Sequence, residues 1–107
     1  MRIITPGHKY ELENFEDPGT KGQVLQFIEK RPLLSGPADS SGLVTITDGT
    51  TNEEVLAVLI DRMNFLNAKF PCRENSIAIT KLDEALLWLN KRTTDRKTRQ
   101  VEGLAVV

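Results

Sequence analysis

The sequence predicts an α+β fold, with a small N-terminal antiparallel β-sheet followed by a long antiparallel two-helix hairpin, in a chain that is oligomeric. Three observations predict it. Up to Asp48-Gly49, short alternating segments are broken by turn residues; after it, apolar positions recur at alternating spacings of three and four; and no Gly or Pro interrupts Arg73–Glu102.

Taken in order, Arg2–Ile4, Lys9–Phe15 and Gln23–Glu29 read as strands, with Pro18-Gly19 and Lys21-Gly22 as turns between the last two. Arg31-Pro32 and the Ser/Gly/Pro-rich stretch 35–42 interrupt regular structure, and the β-branched run Leu43–Thr47 is a further strand. Thr51-x-x-Glu54 is a capping-box pattern, so a helix begins there and runs over Asn52–Lys69 to Pro71. Leu56, Leu59, Met63, Leu66 and Phe70 form its apolar stripe, and Val55, Val58 and Phe65 a second strip that a lone hairpin leaves partly exposed. Ile79, Leu82, Leu86 and Leu89 give the next helix its stripe, and the short link through Pro71-Cys72 makes the two helices antiparallel. A second helix extending to Gly103 reaches roughly 42 Å against roughly 27 Å for the first, at ~1.5 Å per residue. An overhang of that kind is marginal alone, so a second protomer is expected to support it.

The 107 residues are 39% hydrophobic and 27% charged, which describes one domain: a β-rich N-terminal segment over residues 1–47, a helical hairpin over 48–103 and a short tail over 104–107. No apolar run approaches membrane-spanning length and Met1-Arg2-Ile3-Ile4 is no secretory leader, so the expected location is the cytosol. One cysteine, Cys72, and one histidine, His8, supply neither an internal disulfide, a metal cluster nor a catalytic triad. With no Gly-rich phosphate loop either, no enzyme activity and no cofactor are expected. Residues 1–61 carry 5 basic and 10 acidic side chains (net −5), and residues 62–107 carry 9 basic and 5 acidic (net +4). A near-neutral total argues against duplex nucleic acid, whereas a local basic patch suffices for a small anion.

That patch is Lys91, Arg92, Arg96, Lys97 and Arg99, relieved by Asp95. Arg92, Arg96 and Arg99 share one helix face by spacing, suited either to clamping phosphates or to a solvated helix C-terminus. Phe65 with Arg62 one turn earlier suits stacking of a base between ring and guanidinium, or subunit packing. Asn75 suits reading a base edge or capping a first turn. Trp88 reads as core packing.

The runs Asp48–Leu56, Lys69–Asn75, Ala85–Thr93 and Arg96–Gly103 together resemble the phage anti-Thoeris and anti-CBASS hairpin family over roughly Asp48–Gly103; the segment Thr5–Leu12 resembles phage relatives less diagnostically. The resemblance implies a non-enzymatic sponge in the bacterial host cytosol. Such a protein binds cyclic nucleotide immune signals, glycocyclic ADP-ribose isomers and in several members cyclic di- or trinucleotides, and leaves them uncleaved. It also implies Phe65 as the adenine-stacking aromatic, Asn75 as the amide beside it and Arg92 as the phosphate-binding arginine; Arg62, Arg96 and Arg99, from their spacing and charge, are second-tier ligand candidates. Dimers, commonly grouped into hexamers, are the implied assembly. The chain departs from the pattern at Gln100 and in its apolar tail Leu104–Val107. Two readings of other classes stand beside it: a protein-docking hairpin without a small ligand, and a single-stranded nucleic-acid binder.

Overall fold

The computed structural model describes residues 1–32 and 42–98. The elements are β1 (Arg2–Thr5), β2 (Lys9–Glu11), β3 (Val24–Gln26), β4 (Glu29–Pro32), β5 (Leu43–Thr47), α1 (Asn52–Lys69) and α2 (Arg73–Thr98). They fall into two compact units, Met1–Thr51 and Asn52–Val107. Residues 33–41, Arg99, Gln100, the expected helix end at Glu102 and Gly103, and the tail lie outside the described residues.

The N-terminal unit holds two antiparallel sheets rather than one: a three-stranded sheet in the order β1-β2-β3, and a two-stranded one of β4 and β5. Ile3, Tyr10 and Leu25 line up across the first sheet, as do Arg2, Glu11 and Val24. Tyr10 meets Phe27 edge-on, with ring centroids 6.0 Å apart at 86°. The expected strand Lys9–Phe15 ends at Glu11: Leu12 N–H still donates to the Gln23 carbonyl at 2.8 Å, and past it Asn14 Nδ2 donates to Thr20 Oγ1 at 3.0 Å and the Lys21 carbonyl at 3.2 Å within a turn. The Asp17 carboxylate accepts from Gly19 N–H at 3.2 Å, and Thr20 donates its hydroxyl to the Asp17 carbonyl at 2.8 Å. The expected strand Gln23–Glu29 divides in two around Phe27-Ile28. There the chain bridges to Thr50: Thr50 N–H donates to the Gln26 carbonyl at 2.9 Å, and Ile28 N–H to the Thr50 carbonyl at 2.9 Å.

Arg31-Pro32 does not interrupt the sheet, contrary to the expectation from sequence. Pro32 is the last residue of β4, opposite Leu43, in a two-strand ribbon where both strands are edges and a missing N–H is tolerated.

In the second unit α1 begins directly after Thr51 and has the expected limits, and α2 begins at Arg73 as expected. Three residues, Phe70 to Cys72, join the packed helices, so they run antiparallel. The half-buried line on α2 is Asn75, Ile79, Leu82, Leu86, Leu89 and Thr93, continuing to buried Arg96 in steps of four and three. On α1 the matching line is Glu53, Leu56, Ile60, Met63 and Asn67. The predicted α1 stripe is therefore rotated. Leu56 and Met63 face the partner helix, but Leu59, Leu66 and Phe70 are 41%, 37% and 80% exposed, and Ile60 and Asn67 take their places. With 26 residues against 18, α2 extends about two turns beyond the length of α1.

Candidate ligand-binding surface of the hairpin

The turn end of the hairpin is built around Asn67. Its Oδ1 accepts from Cys72 N–H at 3.1 Å, and its Nδ2 donates to Ser76 Oγ at 3.3 Å, tying the last turn of α1 to the first of α2. Cys72 sits at the N-cap of α2, where its Sγ accepts from Asn75 N–H at 3.4 Å. The capping group is thus the thiol rather than the Asn75 amide, and half-buried Asn75 lies at the start of the seam.

Phe65 is on the back of α1, nearly opposite the seam at 100° per residue, and is 60% exposed. The cation over its ring is Lys69, with Nζ 4.4 Å from the centroid, whereas the sequence pointed to Arg62. The i, i+4 spacing of Phe65 and Lys69 was the available signal. Arg62 is exposed one turn earlier. Arg92 is exposed near the other end of the hairpin, 17 residues from Asn75 on α2 and so about 25 Å along the axis.

The basic stretch is less open than its composition suggests. Lys91 donates to Asp95 at 2.9 Å, and Arg96, 6% exposed, lies on the seam line while Arg92 faces solvent. Arg92 and Arg96 are therefore not presented together, and Arg99 lies outside the described residues. Trp88 is not core but 62% exposed, because it is about 100° away from Leu89 on the seam. In an antiparallel pair, flanks of the same rotational sense meet on one side. Leu59 and Leu66 of α1 therefore share a side of the hairpin with Trp88 and Arg92 of α2.

Among the described residues, open hollows occur elsewhere. One of about 350 Å³ is bordered by Arg2, Glu11, Glu13 and Lys21 in the first unit, and one of about 410 Å³ by Arg73, Ile77, Thr80 and Lys81 on the outer side of α2. Neither includes Phe65, Asn75 or Arg92. Beside the first, Arg2 donates from Nε and Nη2 to Glu11 at 2.9 and 2.5 Å, and Gly22 N–H donates to the same carboxylate at 3.3 Å. The Arg2 bond first, then the Gly22 bond, hold the Glu11 carboxyl below its ordinary pKa. His8 has a backbone role: its N–H closes a turn on the Thr5 carbonyl at 3.0 Å, and its carbonyl accepts from Phe27 N–H at 2.7 Å. Among the described residues no group of three or more His, Cys, Asp or Glu is placed to hold a metal, and no helix is long and apolar enough to cross a membrane.

A helical hairpin preceded by small antiparallel sheets, with an aromatic and an arginine on its outer surface, defines a helical-hairpin module with a solvent-facing surface. The family model described as the Acb2/Tad1 hairpin domain matches residues 34–94, more than half of the chain, and the chain belongs to that family. It is similar to a protein of Bacillus phage SBSphiJ7 named Thoeris anti-defense 1, with 51% identity over 69 residues. That stretch covers 64% of this chain and 46% of the relative, so the chain spans about half the length of the curated relative it matches.

Proposed function

We propose that this chain is a phage anti-defence protein of the sponge type, which sequesters a cyclic nucleotide immune signal without cleaving it and so blunts Thoeris immunity, and CBASS where the signal is a cyclic oligonucleotide. The observation that carries the reading is the family match, whose residues 34–94 include Phe65, Asn75 and Arg92. The geometry fits binding in one respect above all: Phe65 stands on a regular helix with its ring in solvent, and stacking on an exposed ring needs no rearrangement of the fold. Phe65 supplies the adenine platform, Asn75 an amide for the base edge and Arg92 a bidentate phosphate contact. Arg62 is a second cation on the α1 surface, whereas Arg96 is buried in one copy.

Because Arg92 stands about 25 Å along the helix from Asn75, one hairpin does not gather all three around one ligand. A second copy running antiparallel to the first brings its Arg92 end to the turn end of the hairpin, where Phe65 on the back of α1 and Asn75 in the seam lie on different faces, so the proposed pocket combines residues of more than one copy. The proposed unit is accordingly a dimer, of the kind that family members group into hexamers. A nanomolar Kd, about −12.3 kcal/mol, is the scale a sponge requires.

The test is depletion. The pure protein is incubated with a panel of glycocyclic ADP-ribose isomers and cyclic di- and trinucleotides, the filtrate is assayed, and the protein is heat-denatured. Intact ligand in the released fraction is the expected result; a hydrolysed product marks an enzyme. Phe65→Ala and Arg92→Ala are each expected to remove binding while circular dichroism stays helical. Nanomolar binding retained in either variant would refute its assignment.

One observation favours a second reading, a protein-docking hairpin: the exposed side formed by Leu59, Leu66 and Trp88. No depletion across the panel would move the conclusion there. For single-stranded nucleic acid, the Lys91–Asp95 pair and the burial of Arg96 leave Arg92 and Lys97 as the exposed cations of the last described turns, few for a backbone-tracking groove.

A further inference from the structure

We propose that Lys69 is a positioning residue that makes Phe65 a one-sided platform: its ammonium covers one face of the ring and leaves the other as the single face on which a base stacks. The inference rests on the base-stacking reading of Phe65 and adds to it a second residue and a limit of one base per ring. Lys69 Nζ is 4.4 Å from the ring centroid, inside the range of a cation–π contact. Lys69 follows Phe65 by one turn in the last turn of α1, so the lysine stem lies along the same back surface of the helix. The ring is 60% exposed, so its side-chain torsions are poorly held by packing alone. A cation seated on one face restricts them and draws π-density toward itself, which favours stacking of an electron-rich purine on the opposite face.

Lys69→Met keeps the stem and removes the charge, and Lys69→Arg keeps a cation able to cover a ring. Binding of a glycocyclic ADP-ribose by the full chain is expected to weaken about two- to fivefold in Lys69→Met, the size of an exposed cation–π contact, and to stay within about twofold of wild type in Lys69→Arg. Phe65→Leu, which weakens the platform without emptying the site, supplies the decisive comparison. If Lys69 acts through the ring, adding Lys69→Met to Phe65→Leu costs little more. Equal losses in both backgrounds overturn the proposal, since Lys69 is then a charge acting on the ligand directly. An unaltered Kd in Lys69→Met while Phe65→Ala abolishes binding overturns it too, and leaves the stacking reading intact. Wild-type binding by folded Phe65→Ala overturns the stacking reading itself, and the role of Lys69 with it.

Discussion

At the scale of the residue, polar groups hold the hairpin turn where an apolar contact would be anticipated. Asn67 occupies a seam position and uses both ends of its amide, accepting from the Cys72 backbone and donating to Ser76. Asn67→Ala removes both bonds and leaves the Cys72 N–H to find water. Urea unfolding followed at 222 nm should lose about 1 kcal/mol, one net hydrogen bond, with little change in slope; an unchanged midpoint would mean that the turn is held by packing. Glu11 makes a pH-dependent contribution of definite sign. Arg2 and Gly22 lower its folded pKa below 4.5, so its contribution is present above that pH and fades as pH falls through the lower folded value. Thermal melts of Glu11→Gln should therefore be flatter than wild type between neutral pH and the acid side of 4.5, and a parallel pair of curves would place the acid sensitivity elsewhere. Neither role was legible in the sequence. An Asn four residues after Met63 has no signature of its own, and the pairing of Arg2 with Glu11 depends on a strand register.

At the scale of the element, what was legible is what local chemistry dictates. The limits of α1 follow from Thr51 and Pro71, and the α2 line of Ile79, Leu82, Leu86 and Leu89 is the half-buried one. The phase of α1 was not legible, because its apolar arc is wide enough to place either Leu59 and Leu66 or Ile60 against a partner beside Leu56 and Met63. The fit to α2 decides, and that is a tertiary choice. The charged strand β4, ending in a proline, carries no strand signature either. Two glycines mark where backbones approach most closely. A Cβ on Gly22 would overlap the Leu12 carbonyl, and one on Gly49 would meet the Gln26 carbonyl oxygen, with the Phe27 carbonyl carbon at 2.7 Å. Both collisions are with backbone, which cannot rotate away. Gly49→Ala should cost about 1–3 kcal/mol, as overpacking does, by loosening the Thr50 bridge. Amide exchange at Thr50 and Ile28 reads this directly, and protection equal to wild type would show that the strand shifts without loss.

At the scale of the whole molecule, the chain has the composition of a domain with a core, yet in one copy no described hydrophobic residue is buried. Ile3, Val24, Ile46, Val58, Ile77, Leu87 and Trp88 are all exposed, from both units. A domain of this length is marginal even when it removes about 60–70% of its unfolded surface from water, so a free single copy is expected to have little stability of its own. In the proposed assembly, burial against further copies would supply what is missing, and mass action would then make stability depend on concentration. The melting temperature should rise with protein concentration over the micromolar range, and sedimentation should give an assembly larger than 12.0 kDa. Charges on the shared side, Leu59→Glu with Leu66→Glu, are accessible to water in one copy and therefore tolerable within a lone hairpin. In an assembly that covers that side they are desolvated and like-charged against each other. The double variant should then sediment as a smaller species, melt at a lower temperature and lose ligand binding together, because a site shared between copies dissolves with the contact. A monomer whose melting point ignores concentration would remove the argument for a second copy, and a double variant that stays assembled would place the contact on another side of the hairpin.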